Sequence, residues 1–153
     1  MQTVWTGSRR KAAIALLVVA AFFAQGFAPQ HADAVARRRG TMLELTNQDR
    51  SQHDKATLAL NAKLSHYAKQ HSRDMAQEGY LFHTADLAAK LKGLDWTVGG
   101  ENVGVGTALD GLERAFMDST VHRRNILRTT FDHTAIGIVR SDGKFWVTVI
   151  FYG

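Results

Sequence analysis

The stretch 134–152 restricts the possible folds more than any other part of the chain. Residues 134–139 (TAIGIV) and 145–152 (FWVTVIFY) are β-branched and aromatic runs, a composition that suits a pleated, buried surface. Between them Arg140-Ser141-Asp142-Gly143-Lys144 carries an Asp-Gly pair, which tolerates the positive φ angles of a tight hairpin. Along the second run Phe145, Val147, Val149 and Phe151 share one face, and Trp146, Ile150 and Tyr152 share the other. A sheet with one wet side alternates apolar with polar residues, so a sheet apolar on both faces has to be covered on both. The expected fold is therefore α+β: a small antiparallel sheet between helical layers, a three-layer α/β/α sandwich.

A long helix supplies one of those layers. Over residues 58–83 (LALNAKLSHYAKQHSRDMAQEGYLFH), Leu60, Leu64, Tyr67, Ala68, His71 and Met75 recur at steps of three and four, forming one apolar stripe. Lys63, Lys69, Arg73 and Gln77 point elsewhere. Gly79 can take the left-handed conformation that ends a helix. Tyr80-Leu81-Phe82 then anchors the exit, and His83 follows. A histidine just beyond a buried helix end is placed to line a cleft.

The remaining segments are shorter. Residues 41–50 read as a short helix, residues 52–57 as a polar connector, and 85–91 as a second helical piece capped by Thr84. The glycine-rich 96–106 (WTVGGENVGVG) reads as a loop entering a short strand, because glycine at this density marks bends and close backbone approaches. Helical spacing returns over 110–118 and again over 121–127.

At the other end, Arg9-Arg10-Lys11, the apolar run 12–28 and the small-residue pattern Ala32-Asp33-Ala34 have the layout of a secretory signal peptide over 1–34, cleaved after Ala34. The competing reading is an uncleaved membrane anchor, since the run is near the lower length for a spanning helix of about 17 residues. Cleavage leaves a basic N-terminal arm, 35–40, a domain over 41–153 and no transmembrane span in the mature form. The formal charge of +5 belongs to the N-terminal region: from Gly40 onward 13 Lys/Arg balance 13 Asp/Glu. A balanced domain lacks the basic face that nucleic-acid binding needs. The arm, Arg37-Arg38-Arg39, reads as a solvated, disordered tail or a contact to anionic envelope polymer or lipid. With no cysteine, the domain rests on packing rather than disulfides.

The ordered set LELTNQDR, LALNAKLSHYAKQHSRDMA, FHT, GGENVGVG, HRRNIL, HTAIGI and FWVTVIF resembles the CAP superfamily, the cysteine-rich secretory, antigen 5 and pathogenesis-related proteins, in its bacterial form. The resemblance covers nearly the whole mature chain and implies the same three-layer fold. In animal and plant members it implies a cleft of two histidines and two glutamates able to hold a divalent metal such as zinc. His83 matches the first histidine and Glu101 the glutamate of Gly-Glu-Asn. Ser119, beside Asp118, stands at the second glutamate's place. Anchoring on Thr134-Ala135 puts Asp132, not His133, at the second histidine's. Bacterial members carry a His-Arg-x-Asn segment, here His122-Arg123-Arg124-Asn125.

His83, Glu101 and His122 are therefore the expected cleft residues and the candidate metal ligands, with His133, Asp132 and Ser119 as secondary cleft candidates. The bland reading is that His83 and Glu101 tie the helix exit to the glycine-rich segment, and that His122 serves its own turn. His71 reads as a satisfied core histidine. No His-Glu-x-x-His, Gly-x-Ser-x-Gly or cysteine nucleophile is present. Two functions remain: a secreted, non-enzymatic module that binds an envelope component, lipid or protein through the cleft, or a metal-dependent hydrolase of peptide or cell-wall amide bonds.

Overall fold

The computed structural model describes residues 27–153. Helix α1 spans Phe27–Gln52, followed by β1 (Ala59–Leu60), α2 (Ala62–Glu78), α3 (Leu87–Leu91), β2 (Gly99–Gly106), α4 (Leu109–Asp118), α5 (Thr120–Ile126), β3 (His133–Ser141) and β4 (Lys144–Tyr152). Most of the expected leader lies outside the described residues. The expected short helix over 41–50 is the later part of α1, and Arg37, Arg38 and Arg39 are helical rather than a disordered tail.

The four strands run in the order β1-β3-β4-β2. The hairpin forms as the Asp-Gly pair dictates, with Asp142 at φ 48° and Gly143 at φ 75°. β2 is longer than the short strand expected and pairs along its whole length with β4, antiparallel, Glu101 standing opposite Ile150. The sheet is mixed rather than purely antiparallel, because β1 pairs parallel to the start of β3. Residues 59–60, expected inside the long helix, make this strand instead. Asn61 decides it: its side chain accepts from the Leu64 N–H at 2.9 Å and caps α2. Thr84 is likewise not a cap; Asp86 caps α3.

Both faces of the sheet are covered, so the three layers are present. On one face Leu64, Ala68 and Leu91 pack on Ala135, Ile150 and Tyr152, while Met75 packs on Val103 and Trp146. On the other, Met42, Leu109, Leu112, Phe116 and Ile126 cover Ile136, Ile138, Val147, Val149 and Phe151. The apolar stripe of α2 faces the sheet as its spacing requires, with two buried serines added.

Those serines belong to an unusually close helix–sheet approach. A Cβ built on Gly137 would lie 2.0 Å from the Ala68 carbonyl carbon, inside the backbone of α2. Where β1 stops, Ser65 Oγ accepts from the Ile136 N–H at 3.1 Å, serving the strand edge that β1 leaves open. The Ser72 hydroxyl reaches the Gly137 carbonyl at 3.1 Å and the Thr148 hydroxyl at 2.9 Å. Gly137→Ala therefore has to push α2 off the sheet, and a loss of about 3 kcal/mol is expected in chemical denaturation. A variant as stable as the parent would show that α2 yields freely.

On the opposite face two charged side chains are buried without a counter-ion. Arg50 donates to the carbonyls of Ala56, Ile126, Arg128 and Phe131, binding the end of α1 to the segment after α5. Burial holds its guanidinium below the ordinary value. Glu113 on α4 has neither carboxyl oxygen hydrogen-bonded. Burial pushes its carboxyl up from 4.5 to about 8; the Thr46 hydroxyl beside it works the other way, and the Asp49 carboxylate adds to the rise. An acid bound more tightly to its proton in the folded state gives stability that is full below pH 4.5 and is lost as pH rises through about 8. Glu113→Gln should match the parent near pH 4 and exceed it above pH 8 by on the order of 3 kcal/mol, read from urea denaturation across that range.

Candidate functional site

The exit of α2 delivers the site. Gly79 takes the left-handed conformation at φ 77° and its N–H returns to the Met75 carbonyl, so the helix stops cleanly. The chain then turns along the outer side of β2, the edge strand, where Glu101 points toward the α2 layer. His83 Nδ1 donates to Glu101 Oε1 at 2.8 Å, the Thr84 N–H to the same oxygen at 2.9 Å, and the Thr84 hydroxyl to Oε2 at 2.6 Å. The Tyr67 hydroxyl lies 3.0 Å from Thr84 Oγ1, whose own proton is spent on Glu101, so Tyr67 donates to it. One carboxylate thus fastens the helix exit to the edge strand.

The protonation pattern follows from the partners. A carboxylate only accepts, so His83 carries a proton on Nδ1 and its Nε2 lone pair faces outward in the neutral ring. The His83 side chain is 60% exposed, whereas that of Glu101 is 5% exposed. His71, buried as expected, donates from Nε2 to the Phe82 carbonyl at 2.9 Å and stands 3.9 Å from Glu101 Oε2. Its ring meets Phe82 edge-on at 5.0 Å. The residues that sequence reasoning missed are Thr84 and Tyr67; the FHT triplet contains the first, but nothing local signals that its hydroxyl turns inward.

His122 stands on α5, half-buried, its ring edge-on to Phe116 at 5.1 Å. Burial holds its imidazole below the ordinary range, and the charge of nearby His83 adds to the effect. Its carbonyl accepts from the Asn102 side chain at 3.1 Å, and Asn125 donates to Asn102 Oδ1 at 2.9 Å and to the Glu101 carbonyl at 3.2 Å. The His-Arg-x-Asn segment therefore holds the opposite side of β2. Gly100 makes room for Asn125, whose Oδ1 would lie 2.9 Å from a Cβ there.

The secondary candidates have partners of their own. His133 pairs with its neighbour Asp132 and stacks on Tyr152 at 5.0 Å. Neither is hydrogen-bonded to His83 or Glu101 among the described residues. Ser119 sits between α4 and α5 without a side-chain capping bond. Among the described residues no three of His, Asp or Glu converge closely enough to hold an ion. Glu101 spends its oxygens on His83 and Thr84, leaving the outward imidazoles alone.

Comparison with known proteins gives the family and the fold. The CAP family model, described as the cysteine-rich secretory protein family, matches residues 43–151. The chain is 31% identical over 112 residues to the uncharacterized protein YkwD of Bacillus subtilis, covering 69% of this chain and 43% of that protein. It therefore spans less than half the length of that relative. Among solved structures, an extracellular SCP-domain protein of Bacillus anthracis is similar with a TM-score of 0.65 and 25% identity over 77% of this chain and 41% of the other. The venom allergen-like protein 4 of Schistosoma mansoni shares the fold alone, with a TM-score of 0.61 and 10% identity over 74% of this chain and 86% of the other.

If Glu101 orients His83, Glu101→Gln replaces an acceptor by a group that cannot take all three bonds. The expected result is a loss of about 2 kcal/mol in stability and a shift of the His83 ring resonances in NMR. Unchanged resonances would show that the two side chains act independently.

Proposed function

The chain belongs to the CAP family, the cysteine-rich secretory proteins, and from that premise we propose that it is a secreted, non-enzymatic binding module acting through the His83, Glu101 and His122 cleft at the edge of β2. The observation that carries this reading is the state of Glu101. A carboxylate with 5% of its side chain exposed and three hydrogen bonds from His83 and Thr84 is committed to holding the loop rather than turned to solvent. It serves to fix the His83 ring.

What remains open to a ligand is the outward His83 Nε2, an acceptor when neutral and a donor when charged. Apolar side chains stand nearby in the chain on both sides: Tyr80 is 59% exposed and Val121 66% exposed. That pairing of a polar fixing point with apolar side chains suits an apolar molecule with one polar group, or a protein surface, of the cell envelope. Secretion rests on the leader-like 1–34 and on the extracellular character of the Bacillus anthracis relative. Among the described residues no helix is long and apolar enough to cross a membrane.

The rival reading, a metal-dependent hydrolase, differs in measurable ways. For the binding module, elemental analysis of the purified chain gives less than stoichiometric zinc, a chelator leaves the melting temperature unchanged, and no peptide or cell-wall amide is turned over. Stoichiometric metal, a melting temperature that falls with chelator and turnover lost in His83→Ala would establish the hydrolase instead.

A further inference from the structure

Away from the cleft, two guanidinium groups converge on one ring. Arg38 of α1 stands 5.5 Å from the centroid of Phe145, and Arg140 of β3, directly across the ladder from Phe145, stands 6.0 Å from it. Arg37 and Arg39 flank the first, and Lys144 begins β4 beside the turn. Among the described residues none of these five cations has a carboxylate within ion-pair distance. The acid at the hairpin tip, Asp142, accepts from the Ser141 hydroxyl at 3.1 Å. Like charges drawn together at a surface repel, and cation–π contact with a single ring offsets that only in part. The arrangement is completed by anions supplied from outside.

We propose that Arg38 and Arg140 on Phe145, with Arg37, Arg39 and Lys144 next to them in the chain, form a cationic end of the domain that docks it on anionic lipid headgroups. The Arg triplet alone reads as an arm in the sequence; α1 carries its middle member, Arg38, to a hairpin a hundred residues later. Two observations favour a bilayer over a soluble polyanion. A half-buried aromatic ring between guanidinium groups matches the headgroup layer, where aromatic and basic side chains gather. In the alternative reading of 12–28 as an uncleaved anchor, the apolar run also precedes the triplet by eight residues, the order of a basic cluster next to a membrane segment. The surface contains no cleft residue, so its failure and that of the cleft reading are separable.

The experiment measures partition of the full chain onto vesicles of phosphatidylcholine alone and of phosphatidylcholine with phosphatidylglycerol, at low and high salt. The zwitterionic vesicles report whatever the apolar run contributes, and the ratio of the two reports the cationic surface. For the parent and for His83→Ala the ratio is large and collapses at high salt. Arg140→Gln with Lys144→Gln lowers it by about fivefold per charge, as does substitution within the triplet. Circular dichroism confirms that the variants fold. A hairpin variant with the parent's ratio would overturn the proposal, since the arm would then act alone. So would soluble polyphosphate stripping the parent from anionic vesicles at equal charge, which would mark a polyanion site.

Discussion

The structure depends on the contact of α2 with the middle of β3, where Gly137 lets helix backbone approach strand backbone. Ordinary helix–sheet packing leaves room for side chains from both partners. Here the sheet contributes a hydrogen atom, and Ser65 and Ser72 replace bulk with hydrogen bonds to Ile136, Gly137 and Thr148. Hydrogen bonds are directional, so the contact fixes the slide and rotation of α2 more tightly than apolar packing would. The helix exit, about three turns along, inherits that precision.

That inheritance is what joins His83 to Glu101. The Glu101 position is set by the ladder with β4, and the position of His83 by the end of α2. The two meet because both elements are held against the same strand pair. Glu101 then closes the junction with three bonds, so it is both the organiser of the His83 ring and the latch of the loop. On the far side of β2, Asn102 and Asn125 do the equivalent work for α5 and bring His122 to the same edge. The edge strand is thus gripped from both faces by polar side chains. Its glycines, Gly100 and Gly104, admit Asn125 and Phe116.

Charge burial distributes differently in the two layers. The α2 layer resolves each polar group with a partner, whereas the α1 and α4 side holds Arg50 on carbonyls alone and Glu113 on nothing. A buried acid without a partner keeps its proton, which ties the packing of α4 on α1 to pH. At the outer end of the same side, α1 meets the hairpin through Arg38 and Phe145, so one helix carries both the fully buried Arg50 and the half-buried Arg38.

The sequence by itself determined the layers, the hairpin, the long helix with its glycine stop and the pairing of His83 with Glu101. Each of these follows from local periodicity, turn chemistry or an ordered set of motifs. Only the tertiary structure decided that residues 59–60 leave the helix to pair with β3, that the arginine triplet is helical, and that Thr84 turns inward rather than capping α3. In each case a contact remote in the chain accompanies the outcome and is not legible locally: the Asp132 carbonyl for Ala59, Phe145 for Arg38 and Glu101 for Thr84.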